Sequence, residues 1–164
     1  MRAERPREMT ESTASLRVRA FARAGLVAAI VIALDQITKN TIAAGITPGD
    51  QKKFLPGITL VHDTNSGVAF SVFAGGGALV LVVTLAALSL LVAYFARRPE
   101  RPLLWLPTGM LVGGAIGNLI DRIAHGAVTD FIKLPHWPAF NVADMSITFG
   151  VLTLLYVLEG RREQ

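Results

Sequence analysis

The sequence predicts an all-α membrane protein with four transmembrane helices, both termini in the cytoplasm and a small extracytoplasmic β-sheet. Hydrophobic residues make up 52% of the 164 residues, charged residues make up 17%, and the mean hydropathy is +0.49. A soluble domain of this length is rarely so apolar. The apolar residues form four blocks, each close to the roughly 20 residues that cross a bilayer core. These blocks are residues 25–44, 77–96, 103–120 and 142–158.

The basic residues predict the orientation, because short cytoplasmic segments of membrane proteins collect Lys and Arg. Arginines cluster before the first block, between the second and third blocks, and after the fourth. Residues 1–19 therefore read as a disordered cytoplasmic tail, and residues 20–164 as a single membrane domain. The pI near 10.0 follows from this topology and favours contact with anionic lipid, so we expect no nucleic-acid partner.

The first block predicts a retained span rather than a cleaved signal peptide, since Asp35, Gln36 and Lys39 follow its apolar part without a small-residue cleavage site. Asp35 and Lys39 stand four residues apart, on one face of a helix. Two interpretations are open. The pair either neutralises two costly charges, or supports a functional site in the outer half of the membrane.

The loop at residues 44–76 is long enough to carry structure of its own. Residues 54–63 are rich in Ile, Thr, Leu and Val around Pro56-Gly57, which predicts a short strand of a small sheet. The segment NSGVAFS follows. Taken alone, Asn65 and Gly67 favour a turn, and the alternative is an amide beside a glycine that permits close approach of a ligand.

The second block carries no charge and predicts packing alone, whereas the third block carries small and polar residues on one broad helical face. Glycine repeats permit close helix approach, which explains the small residues. The polar residues of this face are costly in lipid unless they are paired, so packing does not explain them. The face consists of two rows: Gly109, Gly113, Gly117 and Asp121, then Gly114, Asn118 and Arg122.

After the third block the chain turns at His125-Gly126 and continues as an apolar segment that we expect at the membrane surface. Asp130 stands among apolar residues there, so partial desolvation should raise its pKa. The fourth block opens with FNVAD, in which Asn141 and Asp144 have the spacing of a capping box. This motif is equally compatible with capping and with chemistry.

Two carboxylates brought together at the outer edge of a helix bundle can hydrolyse a peptide bond. One, ionised, takes a proton from water, and the other, protonated, polarises the scissile carbonyl and supplies a proton to the leaving amine. The chain has no cysteine, and its three histidines lack metal-ligand spacing, so we expect no metal site and no cofactor.

Five ordered motifs, DQITK, NSGVAFS, GGAIGNLIDR, VTDFI and FNVAD, resemble those of the lipoprotein signal peptidases (signal peptidase II) of bacteria. The resemblance covers residues 35–144. It implies an aspartyl endopeptidase of the cytoplasmic membrane with its active site at the extracytoplasmic face, and we expect the protein to be monomeric. Its implied partners are membrane lipid and prolipoprotein signal peptides, which it cuts just before a diacylglyceryl-modified cysteine.

Position by position, the resemblance assigns the catalytic role to Asp130 and Asp144. It also implies a small extracytoplasmic sheet that holds substrate. The supporting and substrate-positioning residues that it implies are Asp35, Lys39, Asn65, Gly67, Asn118, Asp121, Arg122, Asn141 and Ala143. The sequence departs from the usual family pattern, with consequences expected for the shape of the pocket, at Ser66, Val68, Thr129 and Met145.

We further hypothesise that Asp144, at a helix N-terminus, is the ionised base and that Asp130 is the protonated acid. Asp121 adjoins Arg122, which should keep it ionised in a supporting role. A proton-coupled transporter would instead spread its acids through the depth of the membrane. A purely structural subunit would leave the polar face of the third block unexplained.

Overall fold

The computed structural model describes residues 6–66 and 76–159, which form four helices and one three-stranded sheet. The membrane spans predicted from the apolar blocks match helices to within a few residues at most boundaries. The elements are α1 (Pro6–Gly45), β1 (Gln51–Leu55), β2 (Ile58–Asn65), α2 (Gly76–Arg97), α3 (Trp105–His125), β3 (Val128–Lys133) and α4 (Val142–Glu159).

Helix α1 is much longer than the predicted span. It begins at Pro6, a residue favoured at the first helical position, and residues 6–19, expected as a disordered tail, continue it. No glycine or proline stands between Pro6 and Gly25 to interrupt the helix. Residues 1–5 of the expected tail lie outside the described part of the chain.

Within the described part of the chain, two helices are by length and composition apolar enough to cross a membrane, namely α4 and the Ala14–Gly45 part of α1. Helix α3 has 21 residues, or roughly 32 Å of length. It carries buried Asn118 and Asp121 on the face that it turns to its neighbours. Helix α3 is therefore suited to the centre of the bundle.

The glycines of α3 allow it to pack closely against α1 and α4, as the sequence predicted. A Cβ atom added at Gly113 would lie 2.9 Å from the Ala28 carbonyl oxygen on α1. One added at Gly114 would lie 2.6 Å from the Ala143 carbonyl oxygen on α4. Since real Cβ atoms do not approach backbone this closely, even alanine at these positions would force the helices apart.

We therefore expect Gly113→Ala to lower the free energy of unfolding by about 1–3 kcal/mol, the usual cost of overpacking. The matched control is Gly25→Ala on α1, where an added Cβ meets nothing within 4 Å. That variant should be neutral or slightly stabilising, because alanine favours helix over glycine. Thermal unfolding in detergent measures both, and equal melting temperatures would contradict the close packing of α3.

The sheet is antiparallel with the strand order β1-β2-β3. Strands β1 and β2 form a hairpin whose turn is Pro56-Gly57, with Gly57 at φ 80°. The predicted strand at residues 54–63 therefore covers the end of one strand, the turn and most of the next.

The third strand corrects the sequence-based expectation that the sheet comes from the first loop alone. Residues 128–133, expected as a loop at the membrane surface, are strand β3, which pairs Asp63 with Asp130 and Asn65 with Val128. Pairing with β3 gives the backbone N–H and C=O groups on that side of β2 their hydrogen-bond partners. Phe131 of β3 packs on Ile42 of α1 and on Ile46, which follows that helix directly, and this contact fixes the sheet against the bundle.

Candidate active site

The two carboxylates of Asp130 and Asp144 lie at one end of the bundle and are linked through Asn141. The Asn141 side chain donates a hydrogen bond from Nδ2 to Asp130 Oδ1 at 2.7 Å. Its Oδ1 accepts one from the Asp144 backbone N–H at 2.9 Å. One fully buried amide therefore fixes the strand acid relative to the helix acid.

Asp130 is presented by β3 and is 3% exposed. Burial, and next the charge of Asp144, raise its pKa to about 6. Asn65 at the end of β2 donates to Asp130 Oδ2 at 3.2 Å, which partly opposes this rise. The apolar surroundings of Asp130 thus raise its pKa, as the sequence predicted.

Asp144 occupies the first turn of α4 in the capping box that the sequence predicted. Its Oδ2 accepts a hydrogen bond from the Asn141 backbone N–H at 3.3 Å, and its Oδ1 accepts one from Asn118 Nδ2 at 2.8 Å. The residue is only partly buried, since it lines a cavity of about 330 Å³. The other residues around this cavity are Leu134, Trp137, Phe140, Met145, Thr148 and Phe149.

Lys39 joins α1 to the polar face of α3. Its Nζ lies 2.7 Å from Asp35 and 3.0 Å from Asp121, and donates to Asn118 Oδ1 at 3.1 Å. The ion-pair interpretation of Asp35 and Lys39 is confirmed. Lys39 also contacts Asn118 and Asp121, which surround the two acids, and support of a functional site stays a prediction.

Asp35 is completely buried and connects α1 to α4. Its Oδ1 accepts the Ala143 backbone N–H at 2.9 Å, two positions after Asn141. Gly117 on α3 makes room for this carboxylate, since a Cβ there would lie 2.7 Å from Asp35 Oδ2. The start of α4, and with it Asp144, is held in place by this contact.

Asp121 supports β3. Its carboxylate accepts the Thr129 backbone N–H at 3.0 Å, next to Asp130, and the Gln36 side-chain amide at 3.0 Å. The sequence-based assignment of Arg122 as its charge partner is wrong, because Lys39 fills that place. Successive side chains of a helix point about 100° apart, and Arg122 donates to the Asn118 carbonyl oxygen at 3.2 Å.

Three further outcomes concern residues singled out in the sequence. Asn65 belongs to β2 and contacts Asp130, so the simple turn interpretation is wrong for it. Gly67 lies outside the described residues. Gln36 was not predicted as part of the site, although an amide in an apolar span needs a buried partner, and that signal was available.

Two of the residues that differ from the usual family pattern, Thr129 and Met145, lie at the site. Thr129 contributes through its backbone, whose carbonyl oxygen accepts Asn141 Nδ2 at 3.3 Å, so its side-chain change leaves these bonds intact. Met145 lines the cavity beside Asp144. The departure at this position therefore bears on the shape of the pocket.

Known proteins match this chain over the segment that contains these site residues. A sequence model of the family described as signal peptidase (SPase) II matches residues 27–159. The lipoprotein signal peptidase of Moorella thermoacetica is 42% identical over 137 residues, which are 81% of this chain and 90% of that protein. The lipoprotein signal peptidase of Syntrophomonas wolfei is 39% identical over 138 residues, which are 82% and 93% of the two chains.

A solved structure described as a bacterial membrane enzyme, determined by the in meso method, has the same fold. It superposes with a TM-score of 0.79 at 30% sequence identity, over 84% of this chain and 93% of that chain. A second such structure gives a TM-score of 0.74 at 30% identity, over 86% and 92%.

Proposed function

Because this chain belongs to the signal peptidase II family, and is therefore an integral membrane protease, we propose that it removes the signal peptide from diacylglyceryl-modified bacterial prolipoproteins. The cut falls just before the lipid-modified cysteine. The observation that carries this proposal is the pair Asp130 and Asp144, joined through Asn141 beside an apolar cavity. The Asn141 side chain donates to the Asp130 carboxylate, and the Asn141 backbone N–H donates to the Asp144 carboxylate. Apolar walls suit the side chains of a signal peptide.

The reaction is hydrolysis by two aspartates and water. Ionised Asp144 takes a proton from water while the water oxygen bonds to the scissile carbonyl carbon. Protonated Asp130 hydrogen-bonds to the carbonyl oxygen, and its proton passes to the leaving amine as the C–N bond breaks. A proton transfer from Asp144 to Asp130 then restores both groups, and no covalent enzyme intermediate forms.

The assignment of these two roles rests on contrasting surroundings, the pattern by which paired carboxylates divide acid and base work. Asp130 is buried and has a raised pKa, which favours the protonated form. Asp144 is partly exposed in the first turn of α4, where the helix macrodipole favours negative charge, and its carboxylate accepts hydrogen bonds from Asn118 and Asn141.

We further propose that all four helices cross the cytoplasmic membrane, with both termini cytoplasmic and the site at the extracytoplasmic face. The arginine distribution supports this orientation. Helix α4 has 18 residues, roughly 27 Å, so Asp144 in its first turn falls near one membrane boundary. Asp121, near the end of α3, lies at the same end of the bundle, because its carboxylate accepts a hydrogen bond from the backbone of Thr129, the residue before Asp130.

The substrate is tested with purified protein and one precursor in two forms, with and without the diacylglyceryl group on its cysteine. Mass spectrometry of the products should show a mature chain that begins at the lipid-modified cysteine, and no cleavage of the unmodified form. Equal cleavage of both forms, or a cut elsewhere, would refute the proposed substrate class.

The pH profile is a further expected result. Because Asp130 acts as an acid with a pKa of about 6, its protonated fraction falls as pH rises through that value. The kcat/KM for cleavage should therefore decline on the alkaline side, with an apparent pKa that belongs to the coupled pair.

Asn65→Ala provides a directional control for this profile. Asn65 donates to Asp130 and lowers its pKa, so removal of the amide should move the alkaline limb to higher pH. A limb that stays in place or moves to lower pH would contradict the assignment of this limb to Asp130.

A further inference from the structure

An arginine cluster, Arg23, Arg98 and Arg101, lies at the opposite end of the bundle from the two aspartates. Trp105 at the start of α3 and Asp121 near its end are 16 residues apart, or roughly 24 Å along the helix. None of these arginines takes part in the site described above.

The cluster is built on aromatic side chains. The guanidinium of Arg98 lies 5.4 Å from the ring centroid of Tyr94, and that of Arg101 lies 5.7 Å from the same ring. Arg101 also donates a hydrogen bond to the Tyr94 hydroxyl. Arg23 lies 5.7 Å from the ring centroid of Trp105, and both rings pack on the core formed around Phe95 and Leu104.

The arginines of the cluster form no ion pair with a described carboxylate. Within residues 14–66 and 82–159, whose side chains are described, the ion pairs are the two made by Lys39. The buried Nε atom of Arg101 has no hydrogen-bond partner there.

An apolar groove of about 170 Å³ runs between α1, α2 and α3, and its lining includes Ala24 and Phe95, which directly follow Arg23 and Tyr94 in the chain. Phe21 and Phe95, whose rings lie 4.7 Å apart, form part of its wall, and so does Gly25. Positive charge above and apolar surface below match one class of molecule, a phospholipid with an anionic headgroup.

We propose that the arginine cluster and this groove bind an anionic phospholipid. The headgroup phosphate contacts Arg98 and Arg101, with Arg23 at its edge, and one acyl chain lies along the groove past Gly25. This site is separate from the aspartates and holds the α2–α3 connection to α1 in an anionic membrane.

The test measures lipid binding by the full purified chain in mixed detergent and lipid. Phosphatidylglycerol should be retained in native mass spectrometry and should raise the melting temperature, whereas phosphatidylcholine should do neither. Soluble glycerol phosphate, the headgroup without chains, should leave the melting temperature unchanged. A wild-type protein that binds both lipids alike, or responds equally to glycerol phosphate, would overturn the proposal.

Two variants locate the site. Arg98→Gln/Arg101→Gln should bind phosphatidylglycerol roughly 30-fold more weakly. The control Lys52→Gln/Lys53→Gln removes the same charge from exposed positions on β1 and should bind as wild type does. Equal weakening in both would indicate general charge attraction and overturn the site.

Gly25→Leu tests the groove without removing any charge. An added Cβ at Gly25 meets nothing within 4 Å, so the fold tolerates it, and the leucine side chain extends into the space proposed for the acyl chain. This variant should lose the retained phosphatidylglycerol, while its melting temperature in lipid-free detergent stays unchanged or rises slightly. Undiminished retention would overturn the acyl-chain position.

Discussion

Asp130→Asn is expected to lower the cleavage rate of a lipid-modified precursor by about 10²–10⁴-fold, the usual contribution of a general acid or base. The asparagine keeps the size of the side chain but cannot give a proton to the leaving amine. Asp144→Asn is expected to lose as much, since its amide cannot take a proton from water. The kcat of each reconstituted variant, measured by mass spectrometry of the product formed over time, checks both expected losses.

The matched control for these substitutions is Asp50→Asn, which makes the same chemical change at an exposed loop position. It should cleave at the wild-type rate. Circular dichroism and melting temperature in detergent establish that the inactive variants remain folded. A folded Asp130→Asn protein with wild-type kcat would remove Asp130 from the reaction.

Lys39→Met is expected to give the largest loss of stability, about 3–5 kcal/mol in the free energy of unfolding. Lys39 is 3% exposed and is the shared cation of Asp35 and Asp121. Its removal leaves two buried carboxylates without their positive partner, a much larger cost than the loss of a surface ion pair.

Lys133→Met is the control, because Lys133 is exposed on β3 and the change in composition is identical. It should change stability by less than about 1 kcal/mol. Thermal or denaturant unfolding in detergent compares the two. If both variants unfold alike, Lys39 is not the residue that holds α1 to the polar face of α3.

The helices were predictable because a helix that crosses a bilayer needs roughly 20 apolar residues, and such runs are easily recognised in the sequence. Small and polar residues of the third block recur every four positions, on one face of a helix. The structure places Gly113 of this face against α1, and Asn118 contacts Asp144. The capping box of Asn141 and Asp144 was likewise readable, because it depends on residues three positions apart.

Contacts between distant segments were less predictable. Strand β3 depends on pairing with β2, about 65 residues earlier in the chain, and the short apolar run VTDFI does not distinguish a strand from a surface loop. The partner of Asp121 was misassigned for the same reason. Arg122 adjoins it in sequence, whereas Lys39 reaches it from another helix.

The alternatives considered from the sequence differ in where they place the acids. A transport relay would spread them along the membrane depth, whereas Asp35, Asp121, Asp130 and Asp144 belong to one connected network at one end of the bundle. A purely structural subunit would not require a carboxylate such as that of Asp144 in the lining of a cavity. Both alternatives fit this arrangement less well than hydrolysis.

The most direct test of the account is a double-substitution comparison of Asp130→Asn, Asp144→Asn and the two together, under single-turnover conditions with one lipid-modified precursor. Groups that act as a unit in one chemical step are strongly non-additive. We therefore expect the double variant to cleave no more slowly than the slower single variant. Cleavage at the wild-type rate by either single variant, or losses that multiply in the double variant, would contradict a two-aspartate mechanism.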